Sequence, residues 1–483
     1  MTLADSGVKS FDRLFVGGRW VEPSSDAVIK VISPSSEETL ATVSEATTAD
    51  IDQAADAARK AFDEGPWPRM KPAERAAALR RIRDQVELRL PQMSRSFTQE
   101  IGTPAGLAEA FNRGTLAMWE SAANVLERYD FTEHRPSETG VAQIRHEPLG
   151  VAAVITPWNA PVGNATIKLA PALAAGCTVV AKPAPEGPSS ALLLAEAIEA
   201  AELPAGVVSI LPAGREVGEH LVTHPLMDKV SFTGSTAAGR RIMSLCGDRI
   251  TRVTLELGGK SAGIIADDVH LDAQLRDIVM SGIQHSGQVC AAITRILVPR
   301  DREDEIVGKI ADIMSSLVVG DPMNPATEIG PIAMQRQRDR VEEYVAIGRA
   351  EGARLIVGGR RPPHLAQGWF YEPTLFAGVK NSMRIAQEEI FGPVLCVIPF
   401  SDEAEAIRIA NDSPYGLSGA VYAKDLELAE RIAAGVRTGQ MWINSWGMCV
   451  SEPFGGFKQS GLGREGGVEG MTAFLESKYV WRP

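Results

Sequence analysis

Between residues 150 and 257, short apolar stretches alternate with helical ones, and this pattern limits the possible folds more than any other feature of the chain. Residues 151–155, 178–182, 207–211, 229–232 and 252–257 read as strands, and 164–175, 189–201, 215–222 and 236–245 as the helices between them. Parallel strands need crossovers of a dozen or more residues, usually helical, so the alternation predicts a parallel, doubly wound α/β sheet. Right-handed crossovers follow by default. Ligands of such sheets bind beyond the carboxyl ends of the strands. The loops 156–163, 183–188, 212–214 and 233–235 are therefore where function is expected.

At 483 residues the chain has room for two or more domains. Residues 14–20 read as a hairpin around Gly17-Gly18, and 48–124 as helical. Residues 126–146 are polar and suggest a hairpin or linker. A second αβ series follows residue 258. Its helices are expected at 271–285, 302–316, 332–351, 402–411 and 425–434, and its strands near 294–298, 354–357, 394–399 and 418–422. Residues 450–467 are glycine-rich and loop-like, and 478–481 strand-like.

The 49 Lys and Arg against 61 Asp and Glu give a net charge of −12, which disfavours nucleic acid and anionic membranes as partners. Cys177, Cys246, Cys290, Cys396 and Cys449 include no C-x-x-C pair. They suit neither a disulfide framework nor a thiolate zinc site, and no metal is expected. Free thiols fit a reducing, cytoplasmic setting. No signal peptide or membrane span is legible.

Three glycine motifs invite a nucleotide reading. Gly461-Leu-Gly463-Arg-Glu-Gly466 matches G-x-G-x-x-G, but only 17 residues follow it. No βαβ unit fits there, so a structural turn is expected. Leu257-Gly-Gly-Lys-Ser261 lacks the first glycine of a P-loop, because position 254 is Thr. Phe232-Thr-Gly234-Ser-Thr-Ala-Ala-Gly239 sits at a strand end and opens a helix. It is either an anion cradle or an ordinary strand–helix turn. Lys182, before Pro183 and Pro185, either binds ribose hydroxyls or a 2′-phosphate or is a solvated strand-end charge.

Further motifs stand in order along the chain: Pro157-Trp-Asn159, Leu255-Glu-Leu-Gly-Gly-Lys-Ser261, Ser286-Gly-Gln-Val-Cys290-Ala-Ala-Ile-Thr-Arg295, Glu388-Glu-Ile-Phe-Gly-Pro393 and Pro453-Phe-Gly-Gly-Phe-Lys458. With the Phe232 motif they resemble the aldehyde dehydrogenase superfamily over nearly the whole chain. A thiolate adds readily to a carbonyl and leaves well from a thioester, which suits Cys290 as nucleophile. The resemblance implies an oxyanion hole from the Asn159 amide and the Cys290 N–H. Donors of this kind contribute ~3–4 kcal/mol each in other enzymes. It implies Glu256 as the base that activates water, if burial raises its pKa. Relatives that pass the acyl group to coenzyme A generally lack this acid, so hydrolysis to a carboxylate is expected. Lys168 and Glu465 match proton-relay positions, with a structural ion pair as the alternative.

For the cofactor, the resemblance assigns Lys182 to the adenosine ribose and Gly234 and Ser235 to the pyrophosphate. Glu389 and Phe391 fall to the nicotinamide end. Ile155, Thr156, Pro157, Trp158, Gly214, Phe232 and Leu257 complete the expected contacts. Many NAD-preferring members carry a glutamate three residues after the lysine, where this chain has Pro185. NAD is expected and NADP admitted. Ala160, Asn164, Ile167, Val289, Ala291, Trp446 and Phe454 are expected to line the substrate tunnel. Residues 444–454 contain no arginine to clamp an acid, so neutral, bulky aldehydes are expected. The resemblance further implies two Rossmann-like domains, cofactor-binding (1–125 and 147–257) and catalytic (258–449, its loop running to about 467). A small β arm (126–146 and 468–483) would make a homodimer or homotetramer. A cofactor-independent cysteine hydrolase and a non-catalytic scaffold are the alternatives.

Overall fold

A computed structural model describes residues 9–483. Its first sheet has eight strands in the order Gly461–Leu462, Arg252–Glu256, Lys229–Thr233, Val151–Ile155, Thr178–Lys182, Val208–Ile210, Leu14–Val16 and Arg19–Val21. The middle five are parallel, and the outer strands are antiparallel. From Val151–Ile155 the chain first winds toward Val208–Ile210. It then returns to lay Lys229–Thr233 on the other side. Strand order reverses there, which opens a crevice at the carboxyl ends of Val151–Ile155 and Lys229–Thr233. Of the loops flagged in the sequence, 156–163 and 233–235 meet at this crevice.

Helix Pro161–Ala175 rises from the crevice. Pro161 takes a first-turn position, where a missing N–H costs nothing. Its apolar residues point all round, and it is buried on nearly every face. It lies against helices Ala105–Arg128 and Pro72–Ile101.

The second sheet runs Arg354–Val357, Thr374–Ala377, Val394–Phe400, Ile293–Pro299, Ser261–Ile265, Ser418–Tyr422 and Gln440–Ile443, parallel except at its first pair. Ser261–Ile265, Thr374–Ala377 and Gln440–Ile443 were not anticipated. The first two are short and fully buried. The helix expected over 271–285 ends at Ile283, because His285 and Ser286 adopt φ of 54° and 55°.

Thr132–Ser137, Gly140–Pro148 and Leu475–Arg482 form a separate antiparallel sheet. Helix Gly467–Thr472 instead packs on Pro161–Ala175 and Ala105–Arg128. The G-x-G-x-x-G match serves packing. Gly461 lies at φ 154°, and a Cβ there would sit 2.1 Å from the Leu255 carbonyl oxygen. Among the described residues no helix is long and apolar enough to cross a membrane.

Candidate active site

A cleft of about 570 Å³ lies at the crevice. Its walls include Pro157, Trp158, Asn159 and Asn164 from one strand end and Gly234, Ser235, Leu257 and Gly258 from its neighbours. The second domain's sheet contributes Cys290, Glu389 and Phe391. The site thus forms where two sheets face each other.

Cys290 is half-buried at the cleft wall. Burial, then the charges of Glu256 and Glu389, push its thiol up to about 12. The Ala291 and Cys290 backbone N–H groups act on the sulfur in the opposite sense. Asn159 is held on all sides. Its Nδ2 donates to Gln288 O at 3.0 Å, and its Oδ1 accepts from Asn164 Nδ2 at 3.2 Å. The second Nδ2 hydrogen is not used by these bonds, and Asn159 is a cleft residue.

Glu256 ends the strand Arg252–Glu256 and is 2% exposed, with neither carboxylate oxygen in a hydrogen bond. Burial, then the Glu465 charge, raises its pKa well above the ordinary carboxylate value. The positive charges of Lys168 and Arg464 pull the other way. Lys168 and Glu465 form a fully buried ion pair, and Ser231 Oγ donates to Glu465 at 3.4 Å. The pair is brought within electrostatic reach of Glu256.

At the other end, Ile155, Val222, Phe232 and Leu245 wall an apolar slot with Lys182 at its edge. The Lys182 ammonium donates to Ala213 O at 2.8 Å and Pro183 O at 3.3 Å, and burial lowers its pKa to about 8. Glu186 faces Arg336 in an ion pair. Gly214 donates its N–H to Glu45 at 3.1 Å. Ser235 caps helix Thr236–Gly247, accepting from Ala238 N. Glu389 accepts from Gly259 N at 3.0 Å, and burial raises its pKa to about 7. A Cβ at Gly258 would stand 2.5 Å from Glu389 Oε2. The Phe391 ring meets Trp158 edge-on at 5.6 Å. Thr156 donates its N–H to Lys182 O across the strand ends.

The expected tunnel residues scatter more widely. Asn164 lines the cleft, but Ala160 packs with Phe97, Ile101 and Trp369. Ile167 lines a separate small cavity with Met118, Thr166 and Val450. Trp446 Nε1 donates to Ala291 O at 3.1 Å, and Val289 O accepts from Ala292 N. Phe454 pairs its backbone with Glu465.

The aldehyde dehydrogenase family model matches residues 20–480. The chain belongs to the aldehyde dehydrogenase family. It is 44% identical to geranial dehydrogenase of Castellaniella defragrans over 97% of this chain and 98% of that protein. It is 42% identical to 3-succinoylsemialdehyde-pyridine dehydrogenase of a Pseudomonas species, covering 98% and 99%. The crystal structure of a Mycobacterium tuberculosis aldehyde dehydrogenase complexed with NAD+ superposes with a TM-score of 0.97, at 44% identity and 99% coverage of both chains. A Cys→Ala variant of aldehyde dehydrogenase C from Pseudomonas syringae, complexed with NAD+ and octanal, gives 0.94 at 39% identity, covering 98% and 96%.

Gln337, Arg340, Tyr415 and Gln459 also line this aldehyde dehydrogenase cleft, and no sequence motif marks them. Arg340 donates to the Glu389 carbonyl at 2.6 Å, and Gln337 to that of Phe391 at 2.8 Å. Both stand on a polar helix that carries no motif. Among the described residues Asp52, His220 and His224 have metal-like spacing. However, Leu226 N donates to His224 Nδ1 at 3.2 Å. Its Nε2 therefore carries the hydrogen and faces Asp52 as a donor, without a lone pair for an ion.

Proposed function

We propose that this aldehyde dehydrogenase oxidises neutral, bulky aldehydes to free carboxylic acids with NAD, through Cys290. The observation that carries the reading is Glu256, a desolvated carboxylate without hydrogen bonds whose charge reaches the Cys290 thiol. Such a group is a poor structural element and a good base.

The residues fit a dinucleotide. The apolar slot beside Lys182 suits an adenine. Lys182 has a third ammonium hydrogen for a ribose hydroxyl. The N-terminus of helix Thr236–Gly247 suits a pyrophosphate, and the Glu389 carboxylate the second ribose. When bound, NAD supplies the two-electron hydride acceptor that converts a thiohemiacetal on Cys290 into a thioester. Close relatives of known structure hold NAD+. Pro185 supplies no carboxylate to repel a 2′-phosphate, so NADP is tolerated.

The protein's own part follows from its geometry. Cys290 Sγ passes its proton to the ionised Glu256, which releases it to solvent, and the sulfur bonds to the aldehyde carbon. The carbonyl oxygen gains negative charge and accepts from Asn159 Nδ2 and the Cys290 N–H. Glu256 then removes a proton from water, the hydroxide attacks the thioester carbon, and the carbon–sulfur bond breaks to release the acid. Lys168 and Glu465 sit where they can carry the proton onward. His285 cannot serve a cysteine hydrolase, because both ring nitrogens are engaged elsewhere, with Asn159 O and Thr103 Oγ1.

Two relatives' names support extended, uncharged chains, a geranial dehydrogenase and an octanal complex, whereas the betaine aldehyde dehydrogenase of Staphylococcus aureus, 36% identical, is named for a charged aldehyde. Absorbance at 340 nm over an aldehyde panel tests the reading. Aromatic, terpenoid and medium-chain aldehydes are expected to exceed succinic semialdehyde in kcat/KM. The reverse order would overturn the substrate class.

The free Cys290 thiol needs a reducing compartment, for which we take the cytoplasm. The three-stranded sheet leaves Leu475–Arg482 as an edge strand, with Tyr479 70% exposed. Such an edge pairs readily with another sheet. We assign it to subunit association in a homodimer or homotetramer. Sedimentation at micromolar concentration should find no monomer, and a monomer refutes the arm.

A further inference from the structure

The loop before Cys290 is unusually constrained. His285 and Ser286 both adopt left-handed backbone angles, φ 54° and 55°, and Gly287 follows at 71°. For non-glycine residues this conformation is unfavourable, because Cβ crowds the carbonyl oxygen. A Cβ at Gly287 would stand 2.0 Å from Gly392 O. The surrounding bonds hold the turn in place. Ser286 Oγ donates to Gly330 O at 2.7 Å, and Gln288 Nε2 to His285 O at 3.1 Å. Ala333 N donates to Gln288 Oε1 at 2.9 Å.

The imidazole of His285 is 1% exposed, and its edges meet Phe97 and Phe111 at 5.6 and 6.1 Å. Nε2 lies 2.7 Å from Asn159 O, which can only accept, so Nε2 carries the hydrogen. Nδ1 then presents its lone pair to Thr103 Oγ1 at 3.0 Å, and the hydroxyl donates. Burial lowers the pKa to about 4, so the ring stays in this neutral tautomer at working pH. One ring thus joins the cysteine loop to the main chain of Asn159. The side chain of Asn159 closes the loop by donating to Gln288 O at 3.0 Å.

We propose that His285 is a positioning residue that sets the distance between the two oxyanion donors, the Asn159 amide and the Cys290 N–H. The inference rests on the acyl-transfer reading above. One donor belongs to the first domain's loop and the other to the second domain's loop, so neither sheet alone fixes their separation. The strained turn brings the imidazole within reach of Asn159 O, and that bond in turn helps hold the turn. Electrostatic stabilisation depends on donors fixed before charge develops. A displacement near 1 Å can cost roughly 10²-fold in rate.

His285→Phe keeps the ring between Phe97 and Phe111 and removes both hydrogen bonds. His285→Asn is smaller but retains a donor. Stopped-flow absorbance at 340 nm should show the first-turnover rate of His285→Phe falling roughly 10–100-fold. The KM for aldehyde and the NAD affinity, read by fluorescence quenching, should change less than about threefold, and His285→Asn should recover part of the rate. Alkylation of Cys290 by iodoacetamide should match wild type, because the sulfur's own surroundings are untouched. An unchanged first-turnover rate in both variants overturns the proposal. So does a parallel loss of rate, alkylation and NAD affinity in both, which marks general loosening of the site. Failure of the acyl-transfer reading is seen separately, as cofactor reduction that survives Cys290→Ala.

Discussion

Cys290→Ala is expected to bind NAD as wild type does and to lose aldehyde-dependent cofactor reduction by roughly 10⁴-fold or more. Cys290 is the only cysteine on the cleft wall. Cys177, Cys246 and Cys396 are buried in cores, and Cys449 is exposed on the 444–454 loop. Without the sulfur no thiohemiacetal forms, and the site loses the covalent tetrahedral state from which hydride leaves. Single-turnover absorbance at 340 nm, with NAD binding followed by fluorescence, checks this directly. Undiminished cofactor reduction by the variant would sink the mechanism. The wild-type thiol, pushed up to about 12, should also react slowly with iodoacetamide at pH 7 in the cofactor-free protein.

Glu256→Gln should separate the two halves of the reaction. The first turnover should give a burst of reduced cofactor, and steady turnover should then fall roughly 10²–10⁴-fold, the usual contribution of a general base. The pH dependence carries a definite sign. Glu256 acts as a base only when ionised, and burial and the Glu465 charge raise its pKa. Wild-type deacylation should therefore climb as pH rises through that raised value, and the limb should vanish in the variant.

Two further readouts move the opposite way. Removing one of the charges that hold the thiol up should speed alkylation of Cys290 at fixed pH. A carboxyl whose folded pKa exceeds its unfolded value binds protons more tightly when folded, so it loses stability as pH rises. Glu256→Gln lacks that slope and should melt no lower than wild type at pH 8. Unchanged steady turnover would show that another group activates water.

The parallel strands 151–155 and 178–182 are legible to the residue, because VAAVI and the apolar centre of TVVAK are short apolar runs bounded by loop residues and followed by a helical period. Thr374–Ala377 and Gln440–Ile443 carry no such signal in the sequence. The ordered motifs pointed to Asn159, Glu256 and Cys290 because each lies in a compact local pattern. Gln337 and Arg340 escaped notice, as they reach the cleft from a helix whose sequence is ordinarily polar. Ala160 packs with the Phe97 cluster, and Ile167 lines a small cavity together with Val450 of the 444–454 loop. A helix that is apolar on every side gives no clue to which face is functional.

The αβ alternation, the family and the types of reacting group are written in local order along the chain. The setting of the chemistry arises from contacts between distant segments. Glu256 and Cys290 are 34 positions apart, yet the carboxylate is unbonded and its charge reaches the thiol. His285, five residues from the cysteine, turns away to hold Asn159. Burial and distance set both outcomes, and both arise only when two sheets from different parts of the chain close on one cleft.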